Sequence, residues 1–153
     1  MKNLVIRDAT SIDLPILLDF EQKLIEAERP FDITLKEKPI SYYNIESYIK
    51  DENIKIVVAD YNGQVISSGY ALKKEASDFQ SHKYYGYLGF MYTVEEYRGN
   101  GINKKIMEVL KEWCLKTNLN EIRLKVYSLN KTAIQAYHKA GFKSHMLEMR
   151  LSN

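Results

Sequence analysis

The chain has 153 residues, 45% hydrophobic and 27% charged, with a formal net charge of +2 at pH 7. That size and balance fit one ordinary globular domain over residues 1–153 with a real core, and the small charge excess excludes a nucleic-acid partner bound by charge. A single cysteine and three histidines exclude an internal disulfide and show no ligand spacing, so no metal is expected.

Leu4–Arg7 reads as an opening strand, followed by a turn at Asp8–Thr10 with Thr10 as a helix N-cap. Leu14, Leu17, Leu18, Leu24 and Ile25 recur at helical spacing, which predicts an amphipathic helix from Ile12 to Glu28, ended by Arg29-Pro30. Residues 31–39 lack a period and read as a loop before a second helix, Ser41–Lys50. Ile54–Ala59 and Gln64–Lys73 form a hairpin about Asn62-Gly63, the strongest turn signal in the chain. After a polar loop at 74–83, Tyr84–Val94 predicts a long aromatic strand, whose Gly86 and Gly89 mark a bulge or a close backbone approach. A helix over Ile102–Thr117, an alternating strand over Glu121–Val126, a short helix over Asn130–Ala140 stopped by Gly141, and a last strand over Phe142–Leu151 complete the chain. The order is β-α-α-β-β-β-α-β-α-β, a mixed α/β domain. Lacking a long apolar run or a leader-like start, it is expected to be cytoplasmic, with no membrane partner.

One stretch carries chemistry. Strand, then Arg98-Gly99-Asn100-Gly101, then a helix start at Ile102 aims free N–H groups and the positive end of a helix dipole at one point. Such a point binds a phosphate, with Arg98, Lys104 and Lys105 adding positive charge. Lys-Ser/Thr does not follow the glycines, which argues against a nucleotide P-loop. Cys114, beside Trp113 in a helix, reads as packing.

The run Glu96-Tyr97-Arg98-Gly99-Asn100-Gly101-Ile102-Asn103, with Asn130, Ala133, Tyr137 and Gly141-Phe142 downstream, resembles the GNAT superfamily of acyl-CoA-dependent N-acetyltransferases. The resemblance spans nearly the whole chain and implies a GNAT fold, a central twisted mixed sheet flanked by helices. It implies acetyl-CoA as acyl donor and no metal. Main-chain groups of Met91, Tyr92 and Thr93 would lie beside the pantetheine arm. The loop Arg98, Gly99, Asn100, Gly101, Ile102, Asn103 and Lys104 would hold the pyrophosphate. Asn103 departs from the pattern, which has Gly or Ala there. Asn130 matches a residue that touches the pantetheine or orders a site loop, and Tyr137 the general acid that protonates the departing thiolate.

Many relatives carry a glutamate on the strand before the loop. Tyr84–Val94 has no carboxylate, which leaves a water relay, Glu26 or Glu28 to take the proton of the attacking amine. Glu28 and Arg29 fall where relatives build the acceptor pocket. The acceptor implied is a primary amine of a small molecule. A non-catalytic acyl-CoA-binding module and a protein or peptide N-acetyltransferase are the other readings, and relatives allow a homodimer.

Overall fold

The structure, a computed structural model, describes residues 1–153. Its sheet has the spatial order β1-β2-β3-β4-β5, formed by β1 (Leu4–Asp8), β2 (Ile54–Tyr61), β3 (Gln64–Glu75), β4 (Tyr84–Thr93) and β5 (Ile122–Arg123). The first four strands run antiparallel to their neighbours, whereas β5 is parallel to β4. Four helices cover it: α1 (Leu14–Glu28), α2 (Ile45–Lys50), α3 (Ile102–Lys116) and α4 (Lys131–Lys139).

The strands are central because both faces of the sheet are covered. Val57 and Ala59 of β2 join Ile102, Ile106, Leu110 and Cys114 of α3 in one apolar cluster. Ile56 and Val58, pointing the other way, join Leu17 and Phe20 of α1 and Ile45 of α2 in a second. A strand buried on both sides reads as the continuous run Ile56–Ala59 rather than as alternation. On α3 the four-residue spacing of Ile102, Ile106, Leu110 and Cys114 lays one stripe on the sheet, and fully burying each aliphatic chain contributes about 1.5–3 kcal/mol. Cys114 is packing, as expected: its Sγ lies 2.5 Å from where a Cβ on Gly86 would sit. Burial pushes its thiol up to about 11.

The turn signals hold. Asn62 and Gly63 both take left-handed φ, 53° and 83°, as a two-residue hairpin with right-handed strand twist requires. Three expectations change. The second helix begins at Ile45 rather than Ser41, because the N–H groups of Tyr42 and Tyr43 bond to Glu21 Oε2 at 3.0 and 2.8 Å instead of entering a helix. Asn44 then caps α2 by accepting from Ser47 N–H. The strand expected over Glu121–Val126 pairs only at Ile122 and Arg123. The closing strand expected over Phe142–Leu151 does not form: the short β5 offers no ladder for it, and Met146, Leu147, Met149 and Leu151 are exposed. Only Phe142 of that segment packs against the core.

Two carboxylates lock α1 in place. Asp13 accepts from both terminal nitrogens of Arg7 at 2.8 and 2.9 Å and from Thr10 N–H at 2.8 Å. Glu21, 1% exposed, is the hub for the loop leading into α2. Replacing it by Ala orphans the Tyr42 and Tyr43 N–H groups, and each buried donor left unpaired costs about 1–3 kcal/mol. Urea denaturation of Glu21→Ala is expected to show a loss of about 2 kcal/mol or more.

Candidate active site

β4 and β5 part early. Their ladder pairs only Gly86 with Ile122 and Tyr87 with Arg123, while β4 continues to Thr93. From Leu88 to Thr93 the β4 edge toward β5 therefore has no strand partner. On its other edge Ser68 stands opposite Tyr92 and Tyr70 opposite Gly89, so β4 bulges against β3. The bulge falls at Phe90, whose φ of 56° is left-handed. Such a conformation is strained for a phenylalanine and persists because its surroundings hold it. The ring is 2% exposed, and the wholly buried Ser68 donates its hydroxyl to the Phe90 carbonyl at 3.0 Å. Ser67 does the same for the Tyr92 carbonyl at 2.6 Å. A bulge of this kind turns main-chain groups out of the ladder, here within the open edge. Gly89 lies beneath the Tyr70 ring, 2.5 Å from the position a Cβ would take, which explains the glycine.

Of the strand residues expected at the cofactor, Tyr92 buries its ring against Phe20 at 4.8 Å between centroids, and Met91 packs on the α3-side core. Both side chains are thus taken up in packing. The Thr93 carbonyl accepts from Arg98 Nε at 2.9 Å, a bond that ties the loop back to the strand.

The glycine turn has the form its sequence foretells. Gly99 and Gly101 take φ of 78° and 72°, with nothing within 4 Å of either added Cβ, so the turn is open outward. From Gly99 through Lys104 no N–H donates to a main-chain acceptor; the first to do so is Lys105, to the Gly101 carbonyl at 3.3 Å. Ile102 is 2% exposed and offers only its N–H, while Asn103 is half-buried in the first turn of α3. Lys104 and Lys105 are exposed. A row of free donors at the start of a fifteen-residue helix suits a polyphosphate, so the residues present fit the pyrophosphate of coenzyme A.

The gap where β4 and β5 part is the cleft, and α4, which follows β5 in the chain, carries Tyr137. Gly141, at φ 97°, closes that helix: its N–H bonds to the His138 carbonyl and the Phe142 N–H to the Tyr137 carbonyl, both at 3.0 Å. This turn places the Phe142 ring edge-on to Tyr137, 6.1 Å between centroids. Burial, with smaller contributions from the Glu28 carboxylate and Tyr87, pushes the Tyr137 phenol up to about 12. Asn130 caps α4, its Oδ1 accepting from Ala133 N–H at 3.2 Å. Its side chain thus orders the loop before Tyr137.

The far end of the cleft is built by the end of α1. Glu28 is half-buried and accepts from the Tyr42 hydroxyl at 3.0 Å. Burial raises its pKa, and the nearby Asp32 raises it further. Arg29 points elsewhere: it donates to Glu26 and to the Lys36 carbonyl, both at 2.9 Å, and so anchors the loop after α1. Sequence reasoning missed Asp32 and Tyr127. The Tyr127 hydroxyl donates to Asp32 at 2.9 Å, and its ring stacks on Phe31, 6.4 Å between centroids. This clasp joins α1 to the connection between β5 and α4. Two shallow concavities beside α2, around Tyr48 and Leu72 and around Leu14 and Ile45, touch neither Tyr137 nor the glycine turn.

Solved structures share this architecture. A Bacillus halodurans protein solved in mutant form superposes with a TM-score of 0.84 at 19% identity, over 97% of this chain and 99% of that one. A predicted acetyltransferase from Clostridium acetobutylicum, solved with acetyl-CoA, has a TM-score of 0.72 at 20% identity, over 97% and 96%. An aminoglycoside 6'-N-acetyltransferase from Acinetobacter haemolyticus has 0.73 at 13% identity, over 97% of each chain. At such identities the likeness shows the fold. A search of the curated proteins finds no significant match. The family description "Acetyltransferase (GNAT) family" matches residues 21–142, most of the chain and all of the cleft described above, and the chain belongs to that family.

Proposed function

We propose that the protein, acting as one domain over residues 1–153, transfers the acetyl group of acetyl-CoA to a primary amine of a small molecule. The observation that carries this reading is the run of unbonded N–H groups from Gly99 to Lys104, set at the end of an open β4 edge. The acetyl-CoA in the Clostridium acetobutylicum protein and the aminoglycoside acceptor of the Acinetobacter haemolyticus enzyme support donor and acceptor class.

Coenzyme A supplies the activated acyl group as a thioester. The loop from Arg98 to Lys104 grips its pyrophosphate through main-chain N–H groups, with Arg98 and the exposed lysines adding charge. The unpaired edge at Met91, Tyr92 and Thr93 aligns the pantetheine arm as an added strand would lie. Tyr137 holds a proton at its hydroxyl and delivers it to the leaving sulfur. With its pKa raised to about 12, the phenol stays protonated at every pH below that value, so it remains competent as an acid throughout the neutral range. Asn130 and Phe142 hold it in place. Glu28 lines the acceptor end.

Two outcomes are expected. Coenzyme A at about 100 times its Kd should stabilise the protein by about 2.7 kcal/mol in a thermal-shift experiment, and no stabilisation at saturation would sink the reading. Tyr137→Phe should retain that stabilisation while kcat for the best amine, read as free thiol released, falls about 10²-fold or more. Unchanged turnover across pH would remove Tyr137 from the acid role. Coenzyme A binding without thiol release from any amine would favour a non-catalytic module, to which the lack of a carboxylate on β4 also points.

A further inference from the structure

An alkylamine is protonated at neutral pH and must lose a proton before its nitrogen can attack, yet Tyr84–Thr93 of β4 carries no carboxylate. The carboxylates at the end of α1 differ in what they already hold. Glu21 is 1% exposed and occupied by the Tyr42 and Tyr43 N–H groups. Glu26 is paired with Arg29 at 2.9 Å and Lys38 at 3.3 Å. Asp32 accepts from the Thr34 N–H and the Tyr127 hydroxyl, both at 2.9 Å. Glu28 differs: Oε2 accepts the Tyr42 hydroxyl at 3.0 Å, and Oε1 has no hydrogen-bond partner and is not sealed from solvent.

The surroundings of Glu28 come from every element that meets there. Tyr42 bonds to it from the loop before α2, while Tyr43 of the same loop, Tyr87 of β4, Tyr127 after β5, Tyr137 of α4 and Asp32 just beyond α1 lie near enough to exchange electrostatic influence with it. None of these is a cation. A half-buried carboxylate with a free oxygen and no cation bonded to it attracts one, because nothing else offsets its charge.

We infer that Glu28 receives the acceptor as an alkylammonium ion and takes its proton on Oε1, an inference that rests on the acetyltransferase reading above. An N–H bond of the ammonium breaks as an O–H bond forms on Oε1, and the freed electron pair attacks the acyl carbon. The C–S bond breaks with its electrons leaving on sulfur, which receives the Tyr137 proton. The nitrogen's second proton restores Tyr137, and Glu28 returns its own to solvent. Ammonium and thioester become amide, thiol and one released proton. Tyr42 acts as a positioning residue, holding Oε2 so that Oε1 faces the cleft. Burial raises the pKa of Glu28, the Tyr42 hydrogen bond opposes that rise and Asp32 adds to it, and the raised value strengthens Glu28 as a proton acceptor.

The test compares the wild type with Glu28→Gln on an alkylamine and on an arylamine, which is already neutral at pH 7. For the alkylamine, kcat/KM should fall about 10²- to 10⁴-fold and the acidic limb of its pH profile should flatten. For the arylamine the loss should be far smaller, and the thermal shift with coenzyme A should not change. Carboxyl-labelled NMR of the ligand-free wild type should show Glu28 titrating above an ordinary glutamate. Wild-type kcat/KM in Glu28→Gln, equal losses on the two amines, or a Glu28 that titrates at or below the ordinary value each overturns the inference. A wild type that is neither stabilised by coenzyme A nor active on any amine overturns the acetyltransferase reading as well, so the two failures separate.

Discussion

After Tyr87, β4 loses its β5 neighbour, and much of the molecule is arranged around that loss. A β edge left unpaired exposes a row of N–H and C=O groups that will bond to whatever fits. Here the unpaired stretch from Leu88 to Thr93 is short, contains the bulge at Phe90, and is followed after a helical turn at Glu95–Tyr97 by the loop whose N–H groups are also free from Gly99 to Lys104. Two kinds of unmet main-chain demand thus follow one another along a single line. A ligand with an amide-bearing arm and a pyrophosphate meets both in sequence. The strain at Phe90 and the buried hydroxyls of Ser67 and Ser68 are what keep that line in place, since they serve the carbonyls that the bulge displaces.

The acceptor side depends on a chain of indirect support. Glu21 fixes the loop at Tyr42 and Tyr43, and Tyr42 fixes Glu28. Across the cleft, Asn130 starts α4 and the Gly141 turn ends it, leaving little freedom for the Tyr137 ring against Phe142. Tyr137 and Glu28, the proposed proton donor and acceptor, therefore stand on separate elements. Burial and the charge of Glu28 push the Tyr137 phenol up, and burial pushes the Glu28 carboxyl up as well.

What could be read from the sequence was what local physics decides. Asn62-Gly63 forces a tight hairpin, Gly141 takes a left-handed cap, and the four-residue spacing from Ile102 to Cys114 admits only a helix lying on a sheet. The glycine turn was legible for the same reason, because two left-handed positions before a helix leave N–H groups unbonded. The Asp32–Tyr127 clasp left no such trace, since its partners lie 95 residues apart and neither sits in a pattern. Glu21 was hidden because a buried acid on an amphipathic helix looks like a solvated one until the loop twenty residues later is seen to donate to it. Its bonds also explain why the second helix starts late. The last strand was read from apolar content alone, at residues that β5 is too short to pair.

Coenzyme A is proposed to bind along the open β4 edge and the glycine turn together, and a crystal structure of the protein with coenzyme A tests this most directly. Pyrophosphate oxygens are expected within hydrogen-bonding distance of the N–H groups between Gly99 and Lys104, with the pantetheine arm running antiparallel or parallel along Leu88–Thr93 and its sulfur toward Tyr137. A coenzyme bound with its pyrophosphate away from that turn, or its arm off the β4 edge, would contradict it.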